Sequence, residues 1–267
     1  MIKYALHLAY RGTQYCGWQI QKNPNHVGLV SIQGTITQAL TEMTGESASL
    51  VGSGRTDSGV HAVGQIAHFV LRERDWDPAI LKKGLNSKLP PDIRVQNALK
   101  VPIEFHAQRS AVKKQYSYYF LQGPCPLPHL ELYSYWIRKK LDTKALQEAL
   151  DHLRGRHDFK SFQAAGSKPG STEREIFEAQ VHVEPIAFPG GDLREYRWVR
   201  LRLLGSGFLK QMVRGIAGTL LQIGDGRRPP DCIPEILMAM DRKLVGPTAP
   251  ARALWLEQVW YPEEFGI

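Results

Sequence analysis

Apolar and polar positions alternate at the start of the chain. Tyr4, Leu6, Leu8 and Tyr10 are interleaved with Ala5, His7 and Ala9, the period of a strand. The period then lengthens: Ser31 can cap a helix whose face carries Ile32, Ile36, Leu40 and Met43, and Gly45 can end it. Asp77-Pro78 opens a second helix, with proline at the first position, where its missing N–H costs nothing. Leu50 and Val51, and then Ile66, Ala67, Phe69 and Val70, read as short buried strands, and Ile93, Val95, Leu99 and Val101 as another. From about Glu104 the order recurs. A strand spans Lys114 to Leu121, a helix Thr143 to Leu153 ending near Gly155, and further strands Ile176 to Val183 and Tyr196 to Leu204. A helix from Phe208 to Ile223 ends at Gly224, and another begins near Asp231. The repetition is of element order, with no repeat at the level of residues. It predicts an α+β protein with two sheets, divided into residues 1–103 and 104–267.

Between the strand at Leu50 and the one at Ile66 lies Gly52-Ser-Gly-Arg-Thr-Asp-Ser-Gly-Val-His61. Neither periodicity explains its carboxylate, Asp57, which stands beside Arg55 in a glycine-bounded loop at a sheet edge, and such a group is a candidate for chemistry. Gly54 and Gly59 have the spacing that opens a phosphate-binding loop, but Val60-His61 follows where Lys and Ser or Thr are required. The dinucleotide fingerprint fails too, because Asp57 occupies the place of its third glycine. On local pattern alone, an Asp-Ser-Gly is a turn cap.

Composition narrows the class. A length of 267 residues suits one large domain or two modest ones, and 43% hydrophobic residues can fill a core. The formal charge of +8 favours a polyanionic partner, since phosphates attract clustered Lys and Arg. Cys16, Cys125 and Cys232 are far apart and odd in number, against a disulfide framework and a zinc site and in favour of a reducing, cytosolic setting. The first ten residues turn polar too quickly for a signal peptide, and no apolar run approaches the length of a membrane span. His61, His68 and His106 lack the spacing of known metal sites.

The Gly52 to His61 loop, with Gly64-Gln65 and His68-Phe69 behind it, resembles the catalytic loop of the TruA-type tRNA pseudouridine synthases, whose pattern is close to Gly-Arg-Thr-Asp-x-Gly-Val-His-Ala. The resemblance continues in family order through Gly17-Trp18-Gln19, Ser31-Ile32-Gln33-Gly34, Gly84-Leu85-Asn86 with Leu89-Pro90, and Phe105-His106-Ala107. Beyond these stand Lys114-x-Tyr116-x-Tyr118, His157-Asp158-Phe159 with Ser161-Phe162, and Phe208 through Gly218. An ordered series over nearly the whole chain is a far more specific signal than any one motif.

That resemblance implies two α/β halves, each a mostly antiparallel sheet flanked by helices, around a basic cleft. It implies a cofactor-independent isomerase that converts uridine to pseudouridine on the 3′ side of the tRNA anticodon arm, positions 38–40, and that works as a homodimer. It assigns the essential carboxylate to Asp57, its electrostatic partner to Arg214, the residue stacking on the target base to Tyr116, an RNA contact to Arg55 and a pocket-lining apolar side chain to Leu254. Apart from it, Arg214 projects from a helical face formed by Met212, Ile216, Leu220 and Ile223 as a solvated charge. Likewise Tyr118 reads as sheet packing and Leu254, beside Trp255, as core. The chain departs from the family where Tyr10-Arg11-Gly12 replaces Tyr-Asp-Gly, and in a longer segment from Asn23 to Val30. Two other readings stand beside the enzyme: a non-catalytic basic RNA-binding protein or tRNA chaperone on the same fold, and a nucleotide-utilising enzyme, which has no motif support.

Overall fold

The computed structural model describes residues 1–20, 30–167, 170–186 and 193–267, so the segment from Asn23 lies, up to Val30, outside the described residues. The chain forms two compact units, Met1–Lys114 with Trp255–Ile267, and Gln115–Leu254. The division therefore falls at Lys114 rather than at 103, and the C-terminal segment belongs to the first unit. Specific bonds explain the difference: the Ala107 N–H donates to His68 Nδ1 at 3.1 Å and the Tyr261 hydroxyl to Ala107 O at 2.6 Å.

In the first unit the strands are β1 (Ile2–Tyr10), β2 (Val51–Gly52), β3 (His61–Leu71), β4 (Ile93–Val101) and a later strand, Leu254–Trp260. They run in the order β4-β1-β3 followed by Leu254–Trp260, with β2 set against β3. β1 is antiparallel to both neighbours, whereas Trp255 and Leu256 pair in parallel with His61 and Ala62. Two helices cover the sheet. α1 (Ile32–Thr44) starts where the Ser31 hydroxyl accepts from the Gly34 N–H, and it ends at Gly45 in the left-handed region. α2 (Pro78–Lys88) starts where the Asp77 carboxylate accepts from Ala79 and Ile80. Tyr4, Leu6, Leu8, Ile36, Leu40, Phe69, Leu81 and Leu85 are buried in the core, and Tyr4 stacks on Phe69 at 5.5 Å. The Asn86 side chain clamps Val95 through both its N–H and its C=O, each at 2.9 Å, which ties α2 to β4. The alternation expected along β4 breaks at a bulge: the pairing jumps from Asn97 to Val95, so Ala98 rather than Leu99 is the buried residue.

The second unit holds β5 (Lys113–Gln122) from Gln115 onward, β6 (Tyr135–Ile137), β7 (Gly155–Asp158), β8 (Glu173–Pro185) and β9 (Arg197–Gly205), ordered β5-β9-β8-β7 with β6 parallel to β5. The remaining strand, β10 (Leu254–Trp260), is the one that returns to the first unit. α3 (Thr143–Asp151), α4 (Met212–Gly224) and α5 (Cys232–Ala239) complete the unit. α4 begins at Met212, not at Phe208, because Gln211 takes φ 61°, which no continuing helix allows. The core here is Tyr118, Phe120, Leu146, Leu150, Phe159, Phe162, Leu201, Ile216, Leu220 and Ile233. The Ser161 hydroxyl, fully buried, donates to Ile236 O at 2.6 Å and fastens the Phe159 to Phe162 turn to α5.

Candidate active site

The loop between β2 and β3 owes its shape to a buried polar network. Gln65 sits within β3, among apolar neighbours, and is fully buried. Its amide oxygen accepts from the Ser53 hydroxyl at 2.6 Å, and its amide nitrogen donates to Gly54 O at 2.9 Å and to the Tyr10 oxygen at 3.3 Å. Burial pushes the Tyr10 phenol up to about 12, while its bonds to Thr56 and Gln65 pull the other way. The phenol therefore stays protonated, and its oxygen also shares a hydrogen bond with the Thr56 hydroxyl at 2.8 Å, in which either group can donate. The Ser53 N–H donates to Ile66 O at 2.7 Å, and the Lys114 ammonium to Ser53 O at 2.6 Å. These bonds satisfy polar groups that would otherwise be buried without partners, at a cost of roughly 1–3 kcal/mol each.

The rest of the loop is held by the segment after β1. The Trp18 N–H donates to Thr56 O at 3.0 Å, and the Ser58 hydroxyl to Tyr15 O at 3.0 Å. Gly17 has φ +103°, and a Cβ there would meet Thr56 O at 2.7 Å; at Gly12 it would lie 2.0 Å from Val60 O. Asp57 is half-buried in this frame, its C=O accepting from Val60 at 3.1 Å, and Arg55 is exposed. His61 stacks on Trp255 at 4.4 Å and accepts from the Gly12 N–H at 3.1 Å. His68 takes the Ala107 N–H, and His106 those of Gln108 and Arg109. Their ring nitrogens thus organise turns. Burial, helped by His106, Lys3 and Arg109, holds His68 down to about 4. Arg11, the departure from the family pattern, forms an ion pair with Asp92 at 4.0 Å, and Asp92 also accepts from the Tyr15 hydroxyl at 2.7 Å.

In the second unit Arg214 stands on the first turn of α4. The helix is buried almost all round, including Val213, Gly215, Ala217 and Thr219 as well as the expected face, so Arg214 is not a solvated charge on an exposed side. It is half-buried. Its Nε donates to Ala249 O at 2.8 Å, and Ala249 N donates back to Arg214 O at 3.1 Å. This two-way clamp fixes the guanidinium's direction. Tyr118 donates to Pro250 O at 2.9 Å; burial raises its pKa, and the positive charge of Arg214 works against that rise. Tyr116 is buried on the same strand and meets Phe208 edge to face at 5.1 Å. Leu254, also buried, opens β10.

The structure thus places Asp57 and Arg55 on one loop of the first unit, and Tyr116, Arg214 and Leu254 in the second. Sequence reasoning quotes Thr56, Gln65 and Lys114 only within the family motifs, and gives neither them nor Tyr10 a part in holding this loop. Gln65 carries a usable signal, a polar side chain inside an apolar run; Tyr10 carries none, since it continues the alternation of β1. Among the described residues, Glu148, His152 and Asp231 bring possible ligand atoms within 4.8 Å of one another, in the second unit. The three cysteines are free thiols, and no helix of the described residues is long and apolar enough to cross a membrane.

The sequence matches the family model of the tRNA pseudouridine synthases over residues 7–108 and 149–262. It is 39% identical over 262 residues to tRNA pseudouridine synthase A of Bdellovibrio bacteriovorus, covering 96% of this chain and 94% of that one. With the protein of the same name from Ruminiclostridium cellulolyticum it shares 39% over 261 residues, 98% and 100% of the two chains. With that from Syntrophotalea carbinolica it shares 41% over 256 residues, 96% and 95%. Matches of this extent span both units, including the pinned Asp57 loop and the Arg214 helix, and the chain belongs to the tRNA pseudouridine synthase family.

Proposed function

We propose that this protein isomerises uridine to pseudouridine in tRNA, with Asp57 as the essential carboxylate. The observation that carries the reading is the Asp57 loop, an acidic turn fastened by a buried network in a member of this family. The reaction needs few groups. The bond from N1 of uracil to C1′ of ribose breaks, the base turns, a bond from C5 to C1′ forms, and the proton on C5 is lost while N1 gains one. Nothing is oxidised or reduced. Asp57 serves by attacking the sugar, by adding to the ring or by abstracting a sugar proton, and in each route it works as the ionised carboxylate. Arg214 favours that form by charge pairing and supplies planar, directed donors. Tyr116 stacks on the target base, which must leave its helix to react, while Leu254 lines its pocket and Arg55 contacts the RNA. We place the target uridines on the 3′ side of the anticodon arm and the working protein in the cytoplasm as a homodimer, as the family resemblance implies.

The test is to map pseudouridine in unmodified tRNA after incubation with wild-type protein and with Asp57→Ala, using carbodiimide adducts read by primer extension. Wild type should give stops in the anticodon arm. The variant should give none while still binding tRNA. Binding by the wild type without adducts on any tRNA would defeat the enzyme reading and favour a non-catalytic RNA-binding protein.

A further inference from the structure

The second unit concentrates cations well away from Arg214 along α4. Three segments distant in sequence are bonded together where this helix ends. The Asp142 N–H donates to Gly224 O at 2.8 Å, the Lys139 ammonium to Asp225 O, and the Arg228 guanidinium to Leu244 O at 2.6 Å. This gathers Arg138, Lys139, Lys140 and Arg228 at one place, and Arg138, Lys139 and Lys140 are exposed. The carboxylates nearby, Asp142, Asp225, Asp231, Glu235 and Asp241, are fewer than the cations Arg138, Lys139, Lys140, Lys144, Arg227, Arg228, Arg242 and Lys243. Asp225 takes the Arg227 guanidinium at 2.5 Å, Asp142 caps α3 through Lys144 and Ala145, and Asp241 accepts from the Lys243 N–H. A local excess of positive charge remains.

A chain of interactions joins this cluster to the site arginine within the same unit. Arg214 is bonded to Ala249, three residues before Arg252; Arg252 donates to Ser134 O at 3.2 Å, Ser134 leads into β6, and Arg138 follows the last residue of that strand, Ile137. From Arg214 to Gly224 the helix advances about 15 Å at ~1.5 Å per residue.

We propose that this track, from Arg252 to Arg138, Lys139, Lys140 and Arg228, grips the phosphate backbone of the tRNA beyond the reacting uridine. The assignment rests on the tRNA reading above and adds to it a second, sequence-independent anchor. Backbone neutralisation of this kind supplies affinity and fixes register without reading bases.

The test measures tRNA affinity against salt concentration for wild type, for the double variant Arg138→Gln/Lys140→Gln, and for Lys82→Gln/Lys83→Gln on α2 as a charge-matched control. The slope of log K against log salt should become shallower by about 1.8 in the first double variant, at ~0.9 for each phosphate no longer neutralised, and affinity near physiological salt should fall at least roughly tenfold. The control should keep the wild-type slope. A wild-type slope in the Arg138/Lys140 variant, a loss of affinity without a change of slope, or an equal change in the control each overturns the track. If the wild type binds and modifies tRNA with a steep slope, the functional reading survives that failure; if it neither binds nor modifies tRNA, both fall.

Discussion

Tyr10 shows how one hydroxyl can matter to chemistry it does not touch. Its hydroxyl joins Gln65, itself bonded to Ser53, to Thr56, the residue immediately before Asp57. Tyr10→Phe leaves the ring's packing intact and strips Thr56 of its partner. We expect kcat for tRNA to fall about tenfold, equivalent to ~1.4 kcal/mol in the barrier, with KM little changed. Steady-state kinetics on one tRNA, beside a thermal melt, reads this; a change confined to KM would dissociate Tyr10 from the loop. His68 makes a prediction of a different kind. Its folded pKa of about 4 lies below the usual 6.5, so the unfolded chain takes up the proton first. The stability tied to neutral His68 is present in full above pH 6.5 and is lost as pH falls toward 4, by at most about 3 kcal/mol at ~1.36 kcal/mol per unit. His68→Asn, which retains an acceptor for the Ala107 N–H, should flatten that decline. Urea titrations at about pH 7, 5.5 and 4.5, spanning that window, would show it, and parallel declines in the two proteins would assign acid sensitivity to other groups.

Among the elements, α2 offers the cleanest helix cap. Asp77 accepts from Ala79 at 2.7 Å and Ile80 at 3.2 Å, so Asp77→Ala should lower unfolding free energy by about 1 kcal/mol and leave turnover at room temperature as it was. Chemical denaturation with a kinetic control checks both halves of that statement. The helix is legible because its start is written locally, in Asp77 and Pro78. The same holds for α1, with Ser31 and Gly45, and for β1, whose alternation survives as buried Tyr4, Leu6, Leu8 and Tyr10. Where an element depends on backbone geometry, the sequence is mute: Gln211 carries no mark of its positive φ, and the bulge opposite His7 and Leu8 moves burial from Leu99 to Ala98 with no signal in residue type. The short strands β6 and β7 escape the pattern because three or four residues cannot express a period. The candidate site divides in the same way. Asp57 and Arg55 announce themselves by lying outside any periodicity. By contrast Arg214 looks like an ordinary surface charge, because its hold on Ala249 joins residues 35 apart in the chain.

At the scale of the molecule, the first unit is discontinuous. β10 lies parallel to β3, Trp255 covers His61, and Tyr261 and Phe265 pack against Phe105 at 5.0 and 5.4 Å. Truncation after Ala253 exposes the edge of β3 and uncovers Phe105. We expect the shortened protein to lose cooperative melting of this unit and to aggregate, as unpaired apolar strand edges do. Calorimetry and light scattering would reveal it, and a shortened protein with an unchanged first transition would show that the closing strand is dispensable. The same topology governs when the Asp57 loop can be completed. Its covering residue leaves the ribosome roughly 190 residues after the loop itself, and at about 5–20 residues per second that interval is on the order of 10–40 s. Through that time the growing chain carries the motif but not its finished surroundings. Until Trp255 has emerged, the loop of a nascent chain therefore lacks both the indole that covers His61 and the strand that pairs with His61 and Ala62.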